Sequence, residues 1–213
     1  MTAIAQRRSF NELVTRYWTL MSRVYNFPLV QRHIYSPAQT DTIRQLRDHD
    51  AQRIADIACG TGILAARIQD ELQSATVYGV DMSDGMLAKA RARSAGVQWR
   101  KAPAEQLPFD DGALDAVVTT SAFHFFDQPA ALAEFYRVLT PGGMASVATI
   151  CPKEHRWTRN GTGERGPAHF PTAGEMERLF SGAGFDVVVH RPVERSITPP
   201  LISVDWICVG LKT

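Results

Sequence analysis

The sequence predicts an α/β fold built on a single doubly wound sheet of seven strands, mostly parallel with an antiparallel edge strand. Five short β-rich segments alternate with helical patterns between residues 53 and 150. Such alternation is typical of parallel strands joined by right-handed crossovers, with helices on both faces of the sheet. Further along the chain, two more strands are separated only by a proline-rich link. This link is too short for a crossover, so we expect these strands to form an antiparallel pair at one edge.

The N-terminal part of the chain is predicted to be helical. Apolar residues recur at three- and four-residue steps from Phe10 to Val24, which indicates an amphipathic helix over about residues 9–25. Pro28 keeps the residue before it out of helical geometry, so we expect the helix to end ahead of this proline.

A second helix is predicted to begin at Ser36 and Pro37, which suit the N-cap and the first helical position, and to end near Asp48. We therefore divide the chain into an N-terminal helical segment, residues 1–50, and a main domain, residues 51–213. The helical segment is a candidate lid over a bound substrate.

The main domain begins with the alternating region and shows no internal repeat. Its β-rich runs are predicted to be strands at 53–58, 76–81, 97–101, 114–120 and 143–150. Helical patterns fill three of the gaps between them, at 63–72, 84–94 and 128–139. The final part is predicted to hold one helix and the antiparallel pair of strands, at 175–181, 185–191 and 203–210.

The composition excludes several classes of partner. The 213 residues are 45% hydrophobic, enough for one α/β core, and the net charge of +1 gives no attraction to nucleic acid or an anionic membrane. No apolar run approaches the roughly 18 residues of a spanning helix, and the N-terminus lacks the apolar core of a signal peptide. The three cysteines lie far apart without a CxxC pair, which favours reduced thiols over a disulfide or zinc framework. We expect a cytoplasmic protein with no metal and no membrane span.

The stretch DIACGTG, residues 56–62, is the most informative part of the sequence. Asp56 lies near the end of an apolar strand, and Gly60 and Gly62 follow in a turn. Ligands of a doubly wound sheet bind at the carboxyl ends of its strands, and glycines let the backbone approach a ligand closely. An unpaired buried acid is costly, so a cationic ligand group and backbone N–H groups would pair Asp56. The alternative is an ordinary turn in which Asp56 caps the following helix.

Asp81 ends the second strand, 19 residues beyond Gly62. At this spacing an acid reaches the ribose hydroxyls of a bound nucleoside, although Asp81 alone would also fit a turn or helix cap. The run GTGILA also matches the loose dinucleotide pattern GxGxxG/A, so a nicotinamide cofactor is an alternative. Against it, Asp56 puts a negative charge where a pyrophosphate would lie, and the chain lacks a Tyr-x-x-x-Lys pair and a second nucleotide-binding half.

These residues resemble the motifs of the class I S-adenosylmethionine-dependent methyltransferases, most closely the small-molecule branch that includes quinone-biosynthesis enzymes. DIACGTG is similar to the first motif, DxGxGxG, with Ala58 in place of its first glycine. The other similar stretches are GVDMSDGMLAKARAR, APAEQLPFDDGALDAVV and EFYRVLTPGGMASV. The resemblance covers about residues 50–210 and implies a Rossmann-like methyltransferase fold with S-adenosylmethionine as its cofactor.

The resemblance also implies which residues contact the cofactor. Asp56 would face its cationic methionine end, Asp81 would hold the ribose, and Met82 would lie against the adenine. Ala104 and Glu105 would border the adenine. The full set of expected cofactor-binding residues is Asp56, Ala58, Gly60, Gly62, Asp81, Met82, Ala104, Glu105 and Ser121.

The residues after the fourth strand, TTSAFHFFD, would face the methyl group. They are apolar and aromatic, which favours a quinol, a phenol or a lipid-like acceptor. The sequence shows no (Asn/Asp)-Pro-Pro-(Tyr/Phe) pattern of many DNA and protein N-methyltransferases, no Pro-Cys nucleophile and no acidic cluster for magnesium. His124 is the candidate catalytic base, which would take a proton from a phenol or an enol. Alternatively, His124 packs among the neighbouring phenylalanines.

Two segments are candidates to close over the acceptor. Tyr17 and Tyr25 on the N-terminal helix are candidate substrate-binding residues, with ordinary core packing as the alternative. The connection 151–170 is long and irregular, as functional loops are, although a solvated loop also explains its charges. As partners we expect a small-molecule methyl acceptor and no nucleic acid; a homodimer is left open.

The sequence therefore predicts transfer of a methyl group from S-adenosylmethionine to oxygen or carbon of a small molecule. Two alternatives stay open: an NAD(P)-dependent oxidoreductase, and a non-catalytic module that binds S-adenosylmethionine.

Overall fold

A computed structural model of the chain describes three stretches, residues 35–151, 168–194 and 205–213. The predicted helix over residues 9–25, with Tyr17 and Tyr25, lies outside the described residues, and so does most of the predicted 151–170 connection. The expectations for these segments stay predictions.

Seven strands and five α-helices make up the described part of the chain. The strands are β1 (Arg53–Ile57), β2 (Thr76–Asp81), β3 (Gln98–Lys101), β4 (Leu114–Thr120), β5 (Leu139–Ile150), β6 (Phe185–Pro192) and β7 (Asp205–Lys212). The helices are α1 (Ser36–Asp48), α2 (Ile63–Glu71), α3 (Asp84–Arg93), α4 (Gln128–Val138) and α5 (Ala173–Gly182). A short 3-10 turn, Phe123–Phe125, follows β4.

The strands form one sheet in the order β3-β2-β1-β4-β5-β7-β6. Strands β1 to β5 pair in parallel, whereas β7 is antiparallel to both β5 and β6. The predicted α/β sheet of seven mostly parallel strands is confirmed, with the antiparallel β6–β7 pair at one end. The strand that runs against all the others, β7, lies one place in from the edge.

Strand β5 begins earlier than the sequence predicted, at Leu139 rather than at residue 143. Leu139 pairs with Leu114, but the next aligned pair is Met144 with Ala116, so extra residues of β5 loop out of the ladder between them. Gly142 in this bulge has a φ of +77°, a left-handed conformation that suits glycine. The apolar pattern that is typical of a strand resumes only after the bulge. The sequence therefore did not indicate that β5 begins at Leu139.

Helices cover both faces of the sheet. Buried apolar residues of α1 and α2 share one cluster with one face, and those of α4 and α5 share a second cluster with the other face. This arrangement is the doubly wound one that the alternation predicted. Within the described part of the chain, no helix combines the length and the apolar character needed to cross a membrane.

Helix α1 belongs to the predicted N-terminal segment, yet it packs as part of the main domain. Ile43 and Leu46 are buried in the same apolar cluster as the sheet. Asp41, whose side chain is 5% exposed, accepts hydrogen bonds of 2.7 and 2.8 Å from the guanidinium of Arg191 on β6. These contacts fasten α1 to the sheet, so a lid in this segment would have to lie before α1.

The order of the strands reverses at β1, because β2 and β3 lie on one side of it and β4 and β5 on the other. A crevice forms at such a point above the carboxyl ends of the strands, and ligands of open α/β sheets bind there. The residues that follow β1, β2 and β4 meet at this edge.

Candidate active site

The turn between β1 and α2 is shaped by three residues with left-handed backbone. Ala58, Gly60 and Gly62 have φ values of +55°, +55° and +76°. The backbone N–H of Cys59 donates to the carbonyl of Val80 on β2 at 3.1 Å, which fastens the turn to the neighbouring strand. Ala58 occupies the position of the first glycine in the methyltransferase motif DxGxGxG. Its left-handed backbone costs strain that a glycine would avoid.

Asp81 joins this turn to the end of β2. Its Oδ2 accepts the N–H of Gly60 at 2.9 Å and its Oδ1 accepts the N–H of Ser83 at 2.8 Å. Burial raises the pKa of Asp81, and the two backbone hydrogen bonds act in the opposite direction. Asp81 therefore has the turn role that was one alternative. Because each carboxylate oxygen can accept a second hydrogen bond, the predicted ribose role is compatible with these contacts.

The two glycines of the turn face different surroundings. A Cβ placed on Gly60 would find no atom of the described residues within 4 Å, so within the described part of the chain the backbone here borders open space. A Cβ on Gly62 would lie 2.4 Å from the Cη2 atom of Trp99. Gly60 thus offers the close approach expected for a ligand, whereas the missing side chain of Gly62 makes room for an indole ring behind the turn.

Trp99 was missed by the sequence analysis. Its ring also fills the space where a Cβ of Gly79 would lie, at 2.2 Å from Cζ3, and its Nε1 donates to the carbonyl of Ser94 at 3.0 Å. The indole therefore occupies a slot between two glycines that are 17 residues apart in the chain, Gly62 and Gly79. In the sequence, a large aromatic residue on one predicted strand and a glycine on the strand before it were the signal for this contact. The pairing of β2 with β3 places Trp99 beside Gly79.

Asp56 lies beneath the turn and is 2% exposed. The backbone N–H of Ala65 in the first turn of α2 stabilises its charged form, but its Oδ2 has no hydrogen-bond partner among the described residues. Burial raises the pKa of Asp56 well above its ordinary value, and the negative charge of Asp81 raises it further. A buried acceptor without a partner is costly, so the position suits a ligand that carries a positive charge.

The residues expected to border the adenine take distinct positions. Met82 is 39% exposed, which is high for a large apolar side chain, and it follows Asp81 directly. Ala104 is buried in the core cluster of the α4–α5 face. Glu105 accepts the backbone N–H of Asp127 through Oε1 at 2.8 Å, just ahead of α4. The exposure of Met82 beside Asp81 is compatible with a place against the adenine, and the contacts of Met82, Ala104 and Glu105 with adenine stay predictions.

Ser121 and His124 follow β4 at the same edge of the sheet. Ser121 has a φ of +58° and its N–H donates to the carbonyl of Ala148 at 2.8 Å. The His124 ring is 7% exposed, stacks on Phe170 with 4.4 Å between ring centroids, and lies 4.0 Å from the ring of Phe125. Burial lowers the pKa of His124 to about 4, so the ring is neutral at pH 7. These contacts favour the packing alternative for His124.

Phe170 is a second residue that the sequence did not single out. The backbone N–H of His169 donates to the carbonyl of His124 at 2.8 Å, and Gln128 Nε2 donates to the carbonyl of His169 at 2.8 Å. These bonds hold Phe170 against the His124 ring. The described end of the predicted 151–170 connection therefore lies against His124, beside the residues that are predicted to face the methyl group.

The geometry fits S-adenosylmethionine rather than a nucleotide with a pyrophosphate. The open space beside Gly60 would admit the methionine end, and the unpartnered oxygen of Asp56 lies under the same turn. The negative charge of Asp81 would repel a pyrophosphate at this place, and a pyrophosphate offers the buried Asp56 no positive charge to pair with. Within the described residues there is no group of three or more His, Cys, Asp or Glu side chains that could hold a metal ion.

The chain is similar in sequence to known methyltransferases. Residues 54–143 match the family model described as methyltransferase domain. The chain is 37% identical to demethylmenaquinone methyltransferase of Thermus thermophilus over 67% of this chain and 64% of that protein. It is 32% identical to the ubiquinone/menaquinone biosynthesis C-methyltransferase of Geobacter sulfurreducens over 87% of this chain and 82% of that protein.

A solved structure supports the fold. An S-adenosylmethionine-dependent methyltransferase of Thermotoga maritima superposes with a TM-score of 0.69 and 24% identity, over 96% of this chain and all of the other. The prediction of a methyltransferase rather than a nicotinamide oxidoreductase is confirmed by the sequence relatives. The chain belongs to the class I S-adenosylmethionine-dependent methyltransferases.

Proposed function

We propose that this protein transfers the methyl group of S-adenosylmethionine to carbon or oxygen of a small, flat, largely apolar acceptor such as a quinol or a phenol. The observation that carries the acceptor class is the aromatic cluster after β4, in which the half-buried rings of Phe125 and Phe170 pack against the buried ring of His124. The names of the Thermus and Geobacter relatives point to the same acceptor chemistry.

The cofactor supplies an electrophilic methyl group, so the protein has mainly to align the acceptor and exclude water. Asp56 and the open backbone at Gly60 would bind the methionine end, while Asp81 would orient the ribose. The aromatic rings beside β4 offer a flat acceptor an apolar surface with few polar atoms to solvate. Ser121 has left-handed backbone, so the chain turns directly after β4 and the aromatic residues follow this turn.

Catalysis by His124 stays a prediction. A ring with a pKa of about 4 is neutral at pH 7 and can accept a proton, but it is a weak base for a phenol, whose ordinary pKa is about 10. We therefore expect an acceptor of low pKa to arrive already ionised and to need no base. The contribution of His124 should be largest for acceptors of high pKa.

The test is methyl transfer from radiolabelled S-adenosylmethionine by the purified chain, with a panel of quinols, phenols and polar lipids. We expect labelled product with members of the first two classes, and a loss of product in the Asp81→Ala variant. Binding of S-adenosylhomocysteine without product across the panel would favour the non-catalytic module instead. Binding of NADH in its place would contradict the proposal outright.

The remaining expectations about the whole protein are proposals of the same kind. Cytoplasmic location agrees with the free state of Cys59, Cys151 and Cys208 in the structure. A homodimer is a further proposal, which light scattering of the purified chain at several concentrations would test.

A further inference from the structure

The carboxyl group of Asp56 has an unusual set of neighbours. It is sealed under the glycine turn at 2% exposure, and Oδ2 has no hydrogen-bond partner among the described residues. The first turn of α2 contributes one favourable contact, the backbone N–H of Ala65. A carboxylate left with one unpaired buried oxygen is costly, whereas the protonated acid is far less so.

Among the described residues, the ionisable groups beside Asp56 offer its carboxylate no positive charge. Asp81, at the end of β2, is the charged neighbour, and it raises the pKa of Asp56. The thiol of Cys59 lies in the same turn, and burial together with the two acids raises its pKa. None of the salt bridges between described residues involves Asp56 or Asp81. The guanidinium of Arg93 also contacts the turn, where its Nε donates to the carbonyl of Thr61 at 2.8 Å.

We propose that Asp56 is protonated in the cofactor-free protein and loses its proton when the cofactor binds, so that binding of S-adenosylmethionine releases a proton. This inference rests on the proposed function, since it requires the α-ammonium group of the cofactor's methionine end, which S-adenosylhomocysteine also carries, near Asp56. The O–H bond of the carboxyl group breaks, the proton passes to the solvent, and the resulting carboxylate pairs with the positive charge. The charge that the buried acid could not carry alone is then balanced by the ligand.

The coupling has a defined pH dependence. Below the pKa of Asp56, each unit of falling pH should weaken cofactor binding about tenfold, because the ligand must displace a proton of increasing activity. Above that pKa the affinity should be independent of this group. The site would thus bind its cofactor less tightly as the surroundings become acidic.

The experiment is calorimetry with S-adenosylhomocysteine in pairs of buffers that both titrate at the working pH and differ widely in ionisation enthalpy. Acetate and piperazine serve near pH 5, and phosphate and imidazole serve from about pH 6 to pH 8. The dependence of the observed enthalpy on the buffer gives the number of protons released. We expect this number to approach one at the acidic end for the natural protein and to vanish in Asp56→Asn, which keeps the shape of the side chain. The variant also subtracts any proton that the ligand itself exchanges.

Asp81→Asn assigns the proton to one of the two acids. If Asp81→Asn still releases a proton on binding, the proton belongs to Asp56. If Asp81→Asn releases none while Asp56→Asn still does, the proton belongs to Asp81 and the assignment is overturned. Equal enthalpies in both buffers for the natural protein would also overturn it. If S-adenosylhomocysteine does not bind at all, the proposed function fails and not merely the coupling.

Urea unfolding without ligand provides a second reading that needs no binding. A folded protein that keeps a proton which the unfolded chain has lost becomes less stable as the pH rises from about 3.8 through the raised pKa. The difference in unfolding midpoint between Asp56→Asn and the natural protein should therefore grow with pH over this window. A constant difference would refute the protonated state of Asp56.

Discussion

Replacing Gly60 and, separately, Gly62 with alanine distinguishes two reasons for a glycine in the same turn. Both residues have left-handed backbone, with φ values of +55° and +76°, so each alanine should cost roughly 1 kcal/mol of stability from strain. Gly142, in the bulge of β5, has a φ of +77°, and no atom of residues 35–151, 168–194 or 205–213 comes within 4 Å of where its Cβ would lie. Gly142→Ala therefore measures the strain alone, away from the site.

The contact with Trp99 adds a second effect at Gly62 only. A new Cβ would lie 2.4 Å from the Trp99 ring, and such overpacking costs about 1–3 kcal/mol, which gives about 2–4 kcal/mol in all. We expect Gly62→Ala to lower the free energy of unfolding by clearly more than Gly60→Ala or Gly142→Ala. Trp99→Leu should reduce this excess, because the atoms that would clash are those of the larger ring.

Cofactor affinity should show the opposite order. The methyl group of Gly60→Ala would project into the space that the methionine end needs, so we expect S-adenosylhomocysteine to bind at least about tenfold more weakly, a loss of about 1.4 kcal/mol. Gly62→Ala should bind it nearly normally when folded, because its methyl group points towards Trp99. Urea unfolding and calorimetry measure the two quantities on the same samples. Normal binding by Gly60→Ala, or equal stability of Gly62→Ala and Gly142→Ala, would refute the reasoning.

Three further substitutions test other parts of the site. Asp81→Ala should weaken cofactor binding by roughly 1.5–3 kcal/mol for each charge-assisted hydrogen bond lost; unchanged calorimetric affinity in a folded variant would exclude Asp81 from the ribose site. The free energy of unfolding of His124→Phe should fall less in acid than that of the natural protein. Burial lowers the pKa of His124 to about 4, so between about pH 6.5 and pH 4 the unfolded chain binds a proton that the folded protein excludes. That difference is worth about 3 kcal/mol of unfolding free energy, and the same acid sensitivity in both proteins would contradict the shift. Ala58→Gly should raise the unfolding free energy by up to about 1 kcal/mol, because it relieves a left-handed alanine at a φ of +55°; a destabilised variant would show that this alanine is not strained.

Much of the fold could be predicted because its signals are local. Alternation of apolar segments gave each strand and helix of the main domain, and the short link before β7 indicated the antiparallel pair. The site was predictable where a single residue type reveals its surroundings, as an acid at the end of an apolar strand does at Asp56. The partners of these residues were not predictable in the same way. Periodicity along the chain indicates single helices and strands but not the contacts between them. For this reason it could not predict the slot that holds Trp99 or the stacking of Phe170 on His124.

The position of β7 between β5 and β6 constrains the order in which the sheet can assemble. Strand β6 precedes β7 in the chain but reaches the sheet only through it, because β6 pairs with β7 and β7 pairs with β5. Until β7 is in place, β5 presents an open edge of unpaired backbone groups, the kind of edge on which chains associate with one another. We therefore expect the parallel part of the sheet, β1 to β5, to consolidate first. Shortening the chain before Asp205 should leave a protein prone to aggregation rather than a smaller active domain.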